Sequence, residues 1–180
     1  MICFLPGFRY NTMRILGILL LAFTGMTTPV LTGTALAECT DFAAPGVNWR
    51  RCFQDGQSLP DSDLTGAQLR DATFKRADLN NSLFIGADIY RGKFISAKLE
   101  NTDFTDANLQ SADFTKAELA DANFTNADLR NARFIGAILH GANFSHASVE
   151  GAIFRNADLS GAIWIDGVRV CKQGSVGTCR

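Results

Sequence analysis

The 180-residue sequence has only two histidines, and no cysteine falls between Cys52 and Cys171. It carries no glycine-rich nucleotide-binding motif, no paired nucleophile and base, and no cluster with metal-ligand spacing. These absences lead us to expect a non-enzymatic protein with no catalytic residue, no cofactor and no metal. Charge of neither sign dominates: 17 Lys and Arg face 18 Asp and Glu, a net of −1. Such a balance argues against a nucleic-acid-binding protein and against an acidic tail. Nor is there an apolar run of the ~20 residues a membrane span requires. The longest, Ile15 to Phe23, is about half that.

What the sequence does hold is a period of five. From Leu59 to Trp164 a large apolar residue falls at every fifth position without a slip: Leu59, Leu64, Leu69, Phe74, Leu79, Phe84, and onward to Leu159 and Trp164. Two residues before most of them stands a small residue, usually Ala, as at Ala67, Ala72, Ala77 and Ala162; Gln57, Ser62, Ser82, Gly92 and Thr102 are the exceptions to Ala, and of these only Gln57 is large. An internal repeat is read before local propensity. On an α-helix five residues overshoot one turn by about 140°, so the series would scatter around the cylinder. On a straight strand an odd period sends successive members to opposite faces.

A chain that turns at every repeat buries the pattern. The small residue and the large one are two apart, so on a short extended edge both point inward. The residues between successive edges include Gly, Asn, Asp, Ser and Thr, which suit corners. Phe recurs every ten residues from Phe74 to Phe154, with Trp164 next in the series and aliphatic residues between. Stacking like on like then requires an even number of edges per coil; three would set Phe over Leu. Four edges place Phe74, Phe94, Phe114, Phe134 and Phe154 in one column and Phe84, Phe104, Phe124, Phe144 and Trp164 in the opposite one, leaving a dry interior. The expectation is an all-β, four-sided parallel β-helix of about five and a half coils. At about 4.8 Å per coil it would be about 26 Å long.

Stretches such as Ala77-Asp78-Leu79-Asn80-Asn81 and Ala122-Asn123-Phe124-Thr125-Asn126 carry the motif A-(D/N)-(L/F)-x-x. The chain thereby resembles the pentapeptide repeat family over residues 59–164. The resemblance implies a right-handed quadrilateral β-helix, in agreement with the coil reached from spacing. It implies little about role, since many members of the family have no assigned activity. One group is known as DNA mimics that protect a DNA topoisomerase. Those resemble strongly acidic rods that dimerise through a C-terminal helix, which this chain does not suggest.

The ends read differently. Residues 1–37 have the form of a signal peptide: Arg9 and Arg14, the apolar Ile15–Phe23, then Ala35-Leu36-Ala37 as the cleavage signal. Translation from Met13 would shorten it to a more ordinary length. Removal after Ala37 takes two arginines and no acid, for a net of −3. We expect a periplasmic or secreted protein. Cys3 would leave with the signal; Cys39 and Cys52 flank the start of the rod, and Cys171 and Cys179 flank its end. In an exported chain an even cysteine count suggests disulfides. The rod keeps the two ends apart, so the expected pairs are local, Cys39–Cys52 and Cys171–Cys179, closing an N-terminal cap over 38–58 and a C-terminal cap loop over 165–180. In the N-terminal cap the register blurs, because Gln54 would stand in an inward slot, while Trp49 would cover the end of the first coil. If a cap is incomplete, rods could stack end to end as homo-oligomers.

Assigning outward residues to walls by the 20-residue coil sorts the charge. The Phe74 wall carries Lys75, Arg76, Lys93, Lys116, Arg133 and Arg155 against Asp113, a net of +5. The Leu79 wall nets −5, the Phe84 wall −4 and the Leu69 wall −1. Ile95, Ile135 and Ile153 also face outward on the basic wall. His140 and His146 are expected as solvated surface residues on different walls. The basic wall is the candidate surface for an anionic partner: an acidic protein face, an anionic envelope polymer or lipid headgroups.

Overall fold

A computed structural model describes residues 39–180. The signal segment expected over 1–37, with its cleavage point, lies outside the described residues. Twenty parallel bridges, each joining residues twenty apart, run from Asn48↔Gln68 to Asn143↔Ile163. The chain is therefore a four-sided parallel β-helix, with one bridge per wall per coil. Edges this short never become continuous strands. The coil depends instead on its corners and on the ladder between coils.

Each five-residue edge disposes of its backbone donors in the same way. In the Phe74 wall, Thr73 N–H donates down to Cys52 O (2.9 Å), and Phe74 and Arg76 N–H donate up to Lys93 O (2.8 Å) and Ile95 O (3.0 Å). Ala77 N–H closes the corner on Phe74 O at 3.1 Å. The fifth donor has no backbone acceptor in this ladder. At Thr105, Thr115 and Ser145 it goes to the side-chain Oδ1 of Asp103 (2.8 Å), Asp113 (3.0 Å) and Asn143 (2.9 Å). The Asp or Asn before so many inward residues thus satisfies a donor that would otherwise depend on water.

Every corner holds one residue with φ between 55° and 74°, at each fifth position from Gly46 to Gly161. The positive φ and the hydrogen bond closing the turn are the marks of a type II turn. Among the described residues, sixteen of those in the left-handed region are not glycine, including Arg51, Arg76, Ser96 and Lys116. The stacked ladder, rather than glycine's freedom, holds the corners.

Inside, the inward residues from Leu64 to Phe144 are fully buried. Phe94 stacks on Phe114 at 5.0 Å between ring centroids, with planes 7° apart. Phe104 stacks on Phe124 at 5.2 Å and 2°. The two columns meet edge to face, as at Phe94–Phe104 (6.0 Å, 78°). Both geometries suit the ring quadrupole.

The coil register begins earlier than Leu59. Phe53 bridges Thr73, and Trp49 and Gln54 fill inward slots at 1% and 8% exposure. A glutamine in a phenylalanine column is accommodated because its Nε2 donates to Cys39 O at 3.2 Å. The Cys39–Cys52 disulfide keeps that carbonyl beneath the coil. Counting inward positions from Trp49 to Trp164, four to a coil, gives six coils rather than five and a half.

At the other end the chain folds back antiparallel across the last coil, through Ile163↔Val170 and Asp158↔Val176. Leu159, Gly161 and Trp164 N–H donate to Ser175, Cys171 and Arg169 carbonyls at 2.7–2.9 Å. This tail is a loop closed by the Cys171–Cys179 disulfide. It occupies the edge of the Leu159 and Trp164 walls, so this end does not offer all four walls to a stacking rod.

Candidate anionic-partner surface

The parallel register carries the six cations of the sequence reading onto one wall. Lys93, Asp113, Arg133 and Ile153 follow one another up a single column of bridges that begins with Phe53 and Thr73. Asp113 lies between two cations in this column, and its Oδ2 is 4.0 Å from Arg133 Nε. The next column runs Lys75, Ile95, Thr115, Ile135, Arg155, and the corner column holds Arg76 and Lys116. All six are exposed except Lys75, which is half-buried. Ile95 and Ile135 are half-buried, while Ile153 and Phe53 are 45% and 77% exposed. The wall is therefore basic with apolar ground between its charges.

Because the coil starts earlier than expected, the wall also gains Asp55, and its net charge is +4. Burial works against this carboxylate. Hydrogen bonds from the Thr73 hydroxyl and the Lys75 N–H, with the charges of Lys75 and Arg76, nonetheless hold its pKa below the ordinary value. The same shift of origin adds Arg50 and Arg51 to the Leu69 wall, turning −1 into +1. From sequence those two arginines fall outside the wall, because Trp49 and Gln54 read as part of a cap rather than as inward positions of a coil.

His140 is exposed, as expected, but it is not a lone solvated side chain. Its Nε2 lies 2.7 Å from Asp158 Oδ2, on the next coil of the same wall. The Ser160 hydroxyl, His140 and the Ser160 N–H together lower the Asp158 pKa to about 2. Ordinary pairs join Arg70 to Asp88 (2.5 Å), Arg91 to Asp71 (3.4 Å) and Arg130 to Asp128 (2.6 Å). Among the described residues no group of three or more His, Cys, Asp or Glu could hold a metal ion. No helix among them is long and apolar enough to cross a membrane.

A four-sided solenoid of five-residue edges, filled by stacked phenyl rings and carrying its chemistry on flat outer walls, defines a class of repeat scaffold. The chain belongs to the pentapeptide repeat family: residues 57–134 match the model of a pentapeptide repeat region, and residues 122–161 that of pentapeptide repeats in eight copies. No curated protein matches the chain. Among solved structures it is similar to HetL of the cyanobacterium Nostoc sp. strain PCC 7120, a pentapeptide repeat protein involved in heterocyst differentiation regulation. The identity is 27% and the TM-score 0.51, over 68% of this chain and 64% of HetL. This chain thus spans just under two thirds of that relative. QnrB1, a plasmid-mediated fluoroquinolone resistance protein, aligns at 23% identity and TM-score 0.38, over 66% of this chain and 68% of its own. A pentapeptide repeat protein of the Arabidopsis thaliana thylakoid lumen aligns at 19% and 0.28, over 72% and 85%.

Proposed function

We propose that this protein is an exported, non-enzymatic scaffold of the cell envelope, periplasmic or secreted, whose Phe74 wall binds an acidic partner. The partner is a protein face or an anionic envelope component. One observation carries this reading: Lys75, Arg76, Lys93, Lys116, Arg133 and Arg155 share one wall with only two acids, while the neighbouring Leu79 wall carries six acids and one lysine. A flat surface with a fixed grid of cations suits an extended anionic ligand, and the regular coil holds that grid rigid. The filled interior, which leaves no room for a buried site, favours binding over catalysis.

The test is charge reversal at Lys93, Lys116 and Arg133 together, with a matched triple reversal on the Leu79 wall as control. Binding to vesicles containing anionic lipid, and to an immobilised anionic envelope polymer, is measured for both. Loss of binding in the first variant alone supports the reading. Equal binding by both variants and the parent protein rejects it. Export is tested separately: the processed protein should begin at Glu38, and an unprocessed, cytoplasmic product would contradict the localisation.

A further inference from the structure

We infer that the N-terminal end of the Leu69 wall is an oxyanion site for a phosphate monoester. The inference concerns other side chains than the basic wall and does not depend on it. A cleft of about 490 Å³ opens there, lined by Arg50, Arg51, Arg70, Asp71 and Tyr90. The coil register brings these together: Arg50, Arg70 and Tyr90 are one column on successive coils, and Arg51, Asp71 and Arg91 are the adjoining corner column.

The local charges do not cancel. Arg70 is committed to Asp88 at 2.5 Å, and its guanidinium lies 5.6 Å from the centre of the Tyr90 ring. Arg91 is committed to Asp71 at 3.4 Å. Both carboxylates are thereby used. Arg50 and Arg51 have no ion-pair partner among the described residues, and both are exposed at the mouth of the cleft. Two unneutralised guanidinium groups on one concave surface call for about two negative charges. A phosphate monoester carries about −1.5 to −2 at pH 7, with a second pKa near 6. Guanidinium forks also match its oxygens in bidentate fashion. A single carboxylate would leave one arginine unanswered.

The full-length protein is titrated with inorganic phosphate and with glycerol 3-phosphate, following the arginine Nε–H resonances by NMR at constant ionic strength. Sodium acetate and sodium chloride are the monoanion controls. Saturable shifts confined to Arg50, Arg51 and Arg70 are expected with both phosphates. Affinity should fall several-fold from pH 7.5 to pH 5.5, since the phosphate loses a charge while the arginines keep theirs. Arg50→Gln and Arg51→Gln should each weaken binding about tenfold or more, while Arg130→Gln, on the same wall further along, leaves it unchanged. Glycerol 3-phosphate should bind at least as tightly as inorganic phosphate; markedly weaker binding of the ester would point to free phosphate and overturn the assignment to a monoester. Shifts that do not saturate, that acetate reproduces, or that survive both Arg50 and Arg51 substitutions overturn the inference.

Discussion

The Cγ2 methyl of Ile89 lies 2.5 Å from where a Cβ on residue 92 would stand. Residue 92 is glycine, the only glycine among the small residues two before an inward side chain, and its φ is not left-handed. Above and below, the same positions pair Leu109 with Ala112 and Leu69 with Ala72. The glycine is therefore a packing answer to a β-branched neighbour, not a turn residue. Val149, also β-branched, tolerates Ala152, but both are only half-buried near the end of the rod. Gly92→Ala should destabilise the protein by about 1–3 kcal/mol through overpacking. Adding Ile89→Leu should recover most of that loss. Denaturant unfolding of the two single variants and the double variant measures it, and additive costs would refute the coupling.

A second expectation concerns the acid or amide before the inward residue. Asp103 Oδ1 accepts from both the N–H and the hydroxyl of Thr105, at 2.8 and 2.6 Å, and from Asn123 Nδ2 at 3.2 Å. Asp103→Asn keeps an acceptor oxygen in place and should be nearly neutral. Asp103→Ala removes it and should cost about 1–2 kcal/mol. Equal effects of the two substitutions would mean that charge, not the acceptor, matters there.

The period and the wall assignments were legible because both follow from spacing: Leu or Phe every five residues with Phe every ten calls for an even number of edges per coil, and four is the number that the bridges between residues twenty apart bear out. What lay beyond reach depended on contacts between coils or with the ends. Gln54 looks like a break in the register until Cys39 O is placed beneath it. Starting the coil late then removed Arg50 and Arg51 from their wall and Asp55 from the basic one. The His140–Asp158 pair joins the position after one inward residue to the position before the next on the same wall, eighteen residues on. That diagonal shows only once the coils are stacked.

Asp158 gives a pH expectation. Its pKa in the folded chain is about 2, below the ordinary carboxylate value of 3.8. A depressed carboxylate stabilises the fold above its unfolded pKa and loses that contribution as pH falls toward the folded value. Melting temperature should therefore decline between about pH 4 and pH 2, and Asp158→Asn should flatten part of that decline. An unchanged profile in the variant would show that the hydrogen bonds from Ser160 and His140 contribute nothing to stability.

The disulfide at the C-terminus should matter locally. Reducing Cys171–Cys179 frees the tail that covers Leu159, Gly161 and Trp164 N–H. A Cys171→Ser, Cys179→Ser protein should lose about 2–3 kcal/mol by the loop-entropy estimate. Hydrogen exchange should speed at those three amides while those of Phe94 and Phe104 stay protected. Uniform loss of protection along the rod would contradict a local cap.

The four-sided coil underlies every wall, charge and cleft described above, and ring contacts test it most directly. Nuclear Overhauser effects are measured between Phe94 and its neighbours in protein with selectively labelled phenylalanine and leucine. Strong ring-to-ring effects from Phe94 to Phe74 and to Phe114 are expected, matching centroid distances of 5.1 and 5.0 Å. A dominant effect from Phe94 to Leu79 and Leu109, fifteen residues away on either side, would mean three edges per coil and would scatter the six basic residues over different faces.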